Sequence, residues 1–360
     1  MSLRTSIQDA LNLTRSQRFI EATQKIQAAL LGRSQSAGEP GATVHAKYPA
    51  RSPRPLAQVV QTLQKLKQSP FPLGKAGQGP SLFEPEIVDG AQFLSRTFSC
   101  KAGSRTYRLY IPNHKPGTQR PLLIMLHGCK QNPADFAVGT RMNTFAETHG
   151  MLVAYPAQTK SANPSACWNW FDPGHQHPGR GEPAIIAGLT AELIASHDVD
   201  RKKVFVAGLS AGGAMAVVMG ETHPELFSAV GVHSGLPYKS AHDVISAFAA
   251  MRGEAPYMKA VPKLRTIVFH GDADGTVAPS NGANIVGGAA FSKAEAERAS
   301  GSYTRRVARD SHGLPVFEHW LLHGAGHAWS GGNSAGSYTD ASGPNASAEM
   351  LRFFLEGKGR

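Results

Sequence analysis

A serine lies between two glycines in the segment Gly-Leu-Ser-Ala-Gly at 208–212. This segment follows a β-branched and aromatic run at 203–207 and precedes an Ala-, Val- and Met-rich stretch that is typical of a helix. A serine on so tight a strand-to-helix turn needs neighbours without a Cβ atom, which Gly208 and Gly212 provide. The helix would direct its N-terminal amides at negative charge that develops beside the serine. These features predict that Ser210 is a nucleophile.

Two loops downstream contain the groups that such a serine requires. A serine hydroxyl is a weak nucleophile unless an imidazole takes its proton, and the imidazole needs a carboxylate to orient it. One loop contains Asp272 and Asp274, the other contains His323 and His327, and each follows an apolar segment typical of a strand. The order serine, aspartate, histidine, each beyond the carboxyl end of a strand, is typical of α/β-hydrolases.

Each of these loops offers two candidates. In loops of the form His-Gly-x-x-Asp the later aspartate reaches the histidine and the earlier one caps the turn, which favours Asp274 over Asp272. His327 lies in a Gly-rich turn from which its side chain can reach the serine, whereas His323 ends a strand and is expected to pack there. We predict Ser210, Asp274 and His327 as a catalytic triad and keep Asp272 and His323 as alternatives.

A further loop is expected to stabilise an oxyanion. The apolar run at 121–126 is typical of a strand buried on both faces of a parallel sheet, and it is followed by His-Gly-Cys-Lys-Gln at 127–131. In hydrolases of this class the loop after that strand donates one backbone N–H, and the residue after the nucleophile donates the other. We assign these two donors to Cys129 and Ala211.

Five motifs that occur in order along the chain resemble those of a known family. They are His127-Gly128-Cys129-x-Gln131, Ala154-Tyr155-Pro156-x-Gln158, Cys167-Trp168-Asn169-Trp170-Phe171, Gly208-Leu209-Ser210-Ala211-Gly212 and Gly326-His327-x-Trp329. Together, over roughly residues 90–357, they resemble the esterase family of polyhydroxybutyrate depolymerases, which is close to the feruloyl and acetylxylan esterases. The resemblance implies an α/β-hydrolase fold and a carboxylic-ester hydrolase with no cofactor and the triad named above. The sequence itself predicts no metal, because no metal-ligand pattern involves its cysteines.

The resemblance does not fix the substrate, because family members cut hydroxyalkanoate polymers or oligomers, feruloyl or acetyl esters of sugars, or short model esters. We predict cleavage of poly- or oligo(3-hydroxybutyrate)-type polyesters through an acyl-enzyme on Ser210, with feruloyl or acetylxylan ester hydrolysis as the alternative. A non-catalytic granule-associated protein is an alternative of another class, and the intact triad loops argue against it. The resemblance favours proximity of Cys129 and Cys167, although all three cysteines are expected to be thiols in a reducing cytoplasm.

Aromatic residues near the predicted site are candidates for substrate binding. Trp168 and Trp170 follow Cys167, and Trp329 lies two residues beyond His327. Indole walls would suit an aliphatic hydroxyacid or a feruloyl ring equally well. The alternative is that these side chains only anchor loops by packing.

The composition changes at about residue 90. Residues 1–80 contain 11 Lys/Arg and 3 Asp/Glu, so they account for most of the net charge of +11. Residues 1–31 are predicted to form an amphipathic helical extension, and 32–89 a basic Pro/Gly/Ser-rich linker with a short helical piece. Residues 90–360 alternate strand-like and helix-like segments, which predicts an α/β domain with a mostly parallel, doubly wound sheet.

The extension suggests partners and a location. An amphipathic basic helix is expected to pack on the hydrolase or on another subunit, or to bind a hydrophobic granule surface. Basic residues spread through a linker without a recognisable module do not favour nucleic-acid binding. The sequence has no run of 18 uncharged apolar residues and no apolar leader segment at its start. These features predict no transmembrane segment and cytoplasmic residence, with an extracellular location, as in many family members, as the alternative.

Overall fold

The computed structural model describes residues 84–113, 117–256, 261–287, 295–299 (backbone only) and 301–356. The predicted helical extension at 1–31 and most of the predicted linker at 32–89 lie outside the described residues. None of the helices described is both long and apolar enough to cross a membrane.

The described part contains twelve strands and seven α-helices. The strands are β1 (Gln92–Cys100), β2 (Gly103–Ile111), β3 (Arg120–Leu126), β4 (Leu152–Pro156), β5 (Val199–Leu209), β6 (Ala229–His233), β7 (Arg265–Gly271), β8 (Glu295–Ala299), β9 (Tyr303–Arg309), β10 (Pro315–Leu322), β11 (Trp329–Ser330) and β12 (Thr339–Asp340). The helices are α1 (Pro133–Thr140), α2 (Met142–Thr148), α3 (Gly181–Ser196), α4 (Ala211–Thr222), α5 (Val244–Met251), α6 (Ser280–Val286) and α7 (Ala346–Glu356), and a short 3₁₀ helix spans Pro173–His175.

One ten-stranded sheet organises these elements, in the order β1-β2-β4-β3-β5-β6-β7-β10-β9-β8. The six central strands, from β4 to β10, are mutually parallel, and the outer strands pair antiparallel. The loops after the central strands therefore gather at one edge of the sheet, where ligands bind in open α/β sheets. The predicted mostly parallel, doubly wound α/β-hydrolase sheet is confirmed.

The apolar run of β3 is explained by cover on both faces of the sheet. Leu122, Ile124 and Leu126 belong to the cluster that also contains buried residues of α3 and α4. Leu123 and Met125 belong to a second cluster, with residues of α1, α2 and α7. Because successive side chains of a strand point to opposite faces, a strand buried on both sides must be apolar at every position.

Two local features of the structure are not evident from the sequence. The helical region after β3 is divided into α1 and α2, because Arg141 adopts a left-handed φ of 53° between them. The antiparallel strand β1 was not expected, because only Phe93 and Phe98 in it are buried, too few to give a periodic apolar signal.

Candidate active site

The serine elbow is formed where β5 passes into α4. Ser210 has φ 57° and ψ −120°, a backbone conformation that costs energy for a residue with a side chain. A Cβ atom on Gly212 would overlap the carbonyl oxygen of Leu126, and one on Gly208 would overlap the backbone of Gly212. The two glycines are therefore required by close backbone approach, and together they hold Ser210 on the tight turn that the sequence predicts.

The loops after β7 and β10 bring Asp274 and His327 together. The Nδ1–H of His327 donates to Oδ2 of Asp274 over 2.8 Å. Oδ1 of Asp274 accepts from the amides of Thr276 and Val277, each at 2.9 Å. The aspartate is thus fixed by its own loop through one oxygen and orients the imidazole through the other, which leaves Nε2 of His327 to act as a base.

The Asp274 carboxylate is held in its charged form inside the protein. Burial alone would raise its pKa, but hydrogen bonds from His270 and His327, together with the backbone amide of Val277, lower it well below the usual value. His270 is fully buried, and its Nε2 lies 2.9 Å from the carbonyl oxygen of Val277 and 3.5 Å from Oδ2 of Asp274. A carboxylate that stays ionised can stabilise the imidazolium that forms during catalysis.

The two alternative candidates bond to each other. Nδ1 of His323 lies 3.0 Å from Oδ2 of Asp272, and Oδ1 of Asp272 accepts from the amide of Gly324. The other ring nitrogen of His323 is 2.9 Å from Oγ1 of Thr304. Asp272 and His323 therefore form a second, separate pair across the same two loops.

The loop after β3 carries one of the assigned oxyanion donors. Within the described residues, neither the amide of Cys129 nor that of Ala211 donates to a protein oxygen. The amide of Gly128 donates to Oε1 of Gln131 over 2.9 Å, and Nε2 of Gln131 donates to the buried Asp135. The side chain of Gln131 thus ties the backbone of this loop to Asp135.

His127, at the start of this loop, connects the loop to the segment after β4. It is fully buried, and its Nε2 accepts from the amide of Gln158 while Nδ1–H donates to the carbonyl oxygen of Gly128. Burial lowers its pKa to about 4, so the ring is neutral and keeps this tautomer near neutral pH.

A disulfide joins Cys129 to Cys167. The sequence left this bond open, because thiols were expected only in a reducing cytoplasm. Cys100 is free and exposed. The bond ties the loop that carries one assigned oxyanion donor to the segment that contains Trp168 and Trp170.

The indoles predicted to bind substrate lie in the interior of the described structure. Trp168, Trp170 and Trp329 are all buried, so they offer a substrate almost no surface. Trp329 packs edge-on against Phe136 and donates from Nε1 to Oγ of Ser347. Substrate binding by these residues stays a prediction, and their burial favours the alternative that they anchor loops by packing.

Sequence reasoning missed His233, which ends β6. Its carbonyl oxygen accepts from the amide of Ser210 over 2.9 Å, and its Nε2 accepts from the amide of Ser330 over 3.1 Å. A histidine at the end of a short apolar strand, directly before Ser234-Gly235, is the signal that could have identified it.

Glu182 lies at the start of α3 and links that helix to a neighbouring segment. It lies in the first turn of that helix, fully buried, and accepts from the backbone amide and Nδ2 of Asn169. His175 accepts from the amide of Glu182 through Nδ1. No group of three or more His, Cys, Asp or Glu within the described ranges could hold a metal ion.

Comparison with known proteins gives a consistent set of relatives. The model of the family described as Esterase PHB depolymerase matches residues 105–302, more than half of the chain. Poly(3-hydroxyalkanoate) depolymerase C of Paucimonas lemoignei is 30% identical over 251 residues, which cover 64% of this chain and 60% of that protein. Probable acetylxylan esterase A of Aspergillus fumigatus is 29% identical over 232 residues, with 58% of this chain and 60% of that protein covered. The chain thus spans about 60% of the length of either relative.

A solved structure supports the fold. An acetyl xylan esterase from Aspergillus awamori superimposes with a TM-score of 0.58 and 21% identity, over 74% of this chain and 99% of that one. At this identity the likeness bears on the α/β-hydrolase fold alone.

Proposed function

Because this chain belongs to the Esterase PHB depolymerase family, we propose that it is a serine carboxylic-ester hydrolase with Ser210 as its nucleophile. The observation that carries the proposal is the 2.8 Å hydrogen bond from His327 to the buried Asp274, in the loops that follow strands β10 and β7. An imidazole whose Nδ1–H is engaged by a carboxylate presents Nε2 as the base that a serine needs.

The first half of the reaction forms an acyl-enzyme. Nε2 of His327 takes the hydroxyl proton of Ser210 as its oxygen attacks the ester carbonyl carbon. The amides of Cys129 and Ala211 donate to the resulting oxyanion. A preorganised donor of this kind is typically worth about 3–4 kcal/mol of transition-state stabilisation. The tetrahedral intermediate collapses, and the imidazolium of His327 gives its proton to the leaving alkoxide.

The second half restores the enzyme. Water attacks the acyl carbon, His327 takes a proton from that water, and the same two amides bind the second oxyanion. Ser210 leaves with the proton from His327, and the carboxylic acid is released. Asp274 remains ionised throughout and stabilises the imidazolium in both halves, for which its lowered pKa is suited.

As substrate we propose esters of the poly- or oligo(3-hydroxyalkanoate) type. The family match and the relative named poly(3-hydroxyalkanoate) depolymerase C support this class. Feruloyl or acetylxylan ester hydrolysis is the second candidate, supported by the relative named probable acetylxylan esterase A.

A substrate panel tests both candidates. Wild type and Ser210→Ala would be assayed on p-nitrophenyl butyrate, a 3-hydroxybutyrate oligomer, methyl ferulate and acetylated xylan. Cleavage of the oligomer above the other natural esters, absent in the variant, is the expected result. Preference for methyl ferulate or acetylated xylan would replace the polyester proposal and keep the mechanism.

A non-catalytic, granule-associated role is the alternative of another class. A fluorophosphonate probe reacts with an activated serine whatever the natural substrate is. We expect stoichiometric labelling of Ser210 that is lost in Ser210→Ala. An unlabelled wild-type protein would contradict hydrolase function itself.

For residues 1–31 we propose attachment to a hydrophobic polyester surface, on the basis of their apolar periodicity and basic charge. The full chain and a Phe19→Ser, Ile26→Ser variant would be compared for adsorption to amorphous polyester particles. Weaker adsorption with unchanged hydrolysis of p-nitrophenyl butyrate is expected, and equal adsorption would contradict the proposal.

Of the two locations considered, the extracellular one is our proposal. A disulfide between Cys129 and Cys167 persists in oxidising compartments, whereas the cytoplasm keeps most thiols reduced. Cell fractionation with thiol labelling of the isolated protein would test it, and a cytoplasmic, fully reduced protein would contradict it.

A further inference from the structure

His233 bonds to the backbone of the proposed nucleophile and to the segment that follows His327. Its carbonyl oxygen accepts from the amide of Ser210 over 2.9 Å, and its imidazole Nε2 accepts from the amide of Ser330 over 3.1 Å. Ser330 lies three residues beyond His327, in the same segment of chain. We propose that His233 is a positioning residue that sets the base, His327, in register with the nucleophile; this inference rests on the hydrolase function proposed above.

The protonation state of His233 suits this role. The amide of Ser330 can only donate, so Nε2 of His233 must carry the lone pair and Nδ1 the proton. Nδ1–H lies 3.2 Å from Oγ of Ser234, which accepts it. Burial, and next the neighbouring His270 and His327, lower the pKa of His233 to about 3, so the ring stays neutral over the range in which esterases work.

His233 and its neighbour Ser234 also contact β7, the strand that precedes the Asp274 loop. The imidazole of His233 stacks on Phe269 of β7 at 5.9 Å and on Trp329 at 5.3 Å between ring centroids. The amide of Ser234 donates to the carbonyl oxygen of Phe269 over 2.9 Å. His233 therefore links the elbow, the aspartate strand and the histidine loop, which are brought together from distant parts of the chain.

A buried histidine can also be a passive packing residue, and the molecule contains a matched example. His319 on β10 is buried, and burial followed by His270 and Arg306 lowers its pKa to about 4. Its Nε2 has no hydrogen-bond partner in the described part of the chain. His319 thus shares burial and neutrality with His233 but does not bond to the elbow or the histidine loop.

The test compares four variants with wild type: His233→Phe, His233→Gln, His233→Asn and the control His319→Phe. Phe keeps a stacking ring but leaves the buried amide of Ser330 without an acceptor. Gln carries an amide oxygen as far from the backbone as Nε2, whereas the shorter Asn does not reach. For each protein, kcat and KM would be measured on p-nitrophenyl butyrate. Tm and the rate of fluorophosphonate labelling would be measured separately.

We expect kcat to fall on the order of 10²-fold in His233→Phe and His233→Asn, since a misplaced base can cost that much. KM should change little, and Gln should restore most of kcat. His319→Phe should leave kcat near wild type, whatever its effect on Tm. Equal kcat for the Gln and Asn variants, or a fall in His319→Phe matching that in His233→Phe, would overturn the proposal. If His233→Phe does not fold, the Gln and Asn pair decides. A wild-type protein that the probe does not label contradicts the hydrolase function instead.

Discussion

Two aspartate–histidine pairs join the same two loops, and they differ mainly in where they lie. Asp274 and His327 meet at 2.8 Å with side-chain exposures of 0% and 12%, whereas Asp272 and His323 meet at 3.0 Å with exposures of 38% and 32%. The residue types and the separation are nearly the same. Exposed ion pairs are screened by water, and buried ones interact strongly, so burial decides what each pair can do.

The surroundings of the two pairs reinforce this difference. Asp274 has a second histidine, His270, within 3.5 Å and two backbone amides on its other oxygen. The exposed pair is completed by the amide of Gly324 and the hydroxyl of Thr304, and it closes one loop on the other. We therefore propose a division of labour in which the inner pair serves the proposed reaction and the outer pair holds the two loops together.

The largest expected effect separates the two aspartates. Asp274→Asn should lower kcat by roughly 10⁴-fold, because the amide no longer holds His327 in the reactive tautomer or stabilises its charge. Asp272→Asn is the matched control, with kcat expected within a few-fold of wild type. Steady-state kinetics on p-nitrophenyl butyrate measure both. Similar losses in the two variants would end the division of labour.

The disulfide provides a covalent counterpart to these hydrogen-bonded pairs. Replacing Cys129 and Cys167 by Ser should cost about 4 kcal/mol of stability by the chain-entropy relation, for a sequence separation of 38. It should also lower kcat, on the order of tenfold, because one oxyanion donor then lies on a looser loop. Denaturant unfolding and kcat are the measurements.

Cys100→Ser is the control for the disulfide, since that thiol is free and exposed. It should change neither stability nor kcat. A double variant that loses stability but keeps full kcat would show that the bond does not help to place the oxyanion loop.

Acid stability should distinguish the two pairs in the same direction as catalysis. The pKa of Asp274 is lowered in the folded protein, so its ionised form contributes stability that is present above the unfolded pKa, near 3.9, and lost as pH falls below it. The unfolding free energy should therefore fall less between pH 6 and pH 3 in Asp274→Asn than in wild type.

Asp272→Asn is the control for this measurement. The pKa of Asp272 is also lowered, chiefly by its bond with His323, but solvent screening should make the effect of this variant smaller. The reverse order would contradict burial as the cause.

The smallest effect is expected for His323→Asn. The variant removes an exposed pair worth roughly 0–1 kcal/mol, so Tm should fall by only a few degrees and kcat should stay close to wild type. Thermal unfolding followed by circular dichroism would measure it. A loss of kcat as large as in Asp274→Asn would identify His323 as the base and reverse the assignment.

Much of the fold could be predicted because its signals are local. The apolar run of β3 and the Gly-x-Ser-x-Gly turn each depend on residues adjacent in the chain, and the structure has a buried strand and an elbow at those places. Antiparallel β1 was missed because its two buried phenylalanines give no clear period.

The candidate site could be predicted in part. The sequence indicated both loops and favoured Asp274 and His327, but it gave no measure of burial. For that reason it could not foresee that Asp272 and His323 would pair with each other, or that Trp168, Trp170 and Trp329 would be enclosed. Burial depends on elements far away in the chain, such as Phe136 and Ser347 around Trp329.

The sequence by itself determined the order of serine, aspartate and histidine, the parallel sheet that carries them and the family resemblance. These follow from residue types and spacing along the chain. Only the tertiary structure decided which aspartate is buried against which histidine, that Cys129 bonds to Cys167, and that His233 links Ser210 to the loop of His327. The reason is physical: each of these contacts joins residues that become neighbours only when the sheet assembles, and their strength depends on the water that assembly excludes.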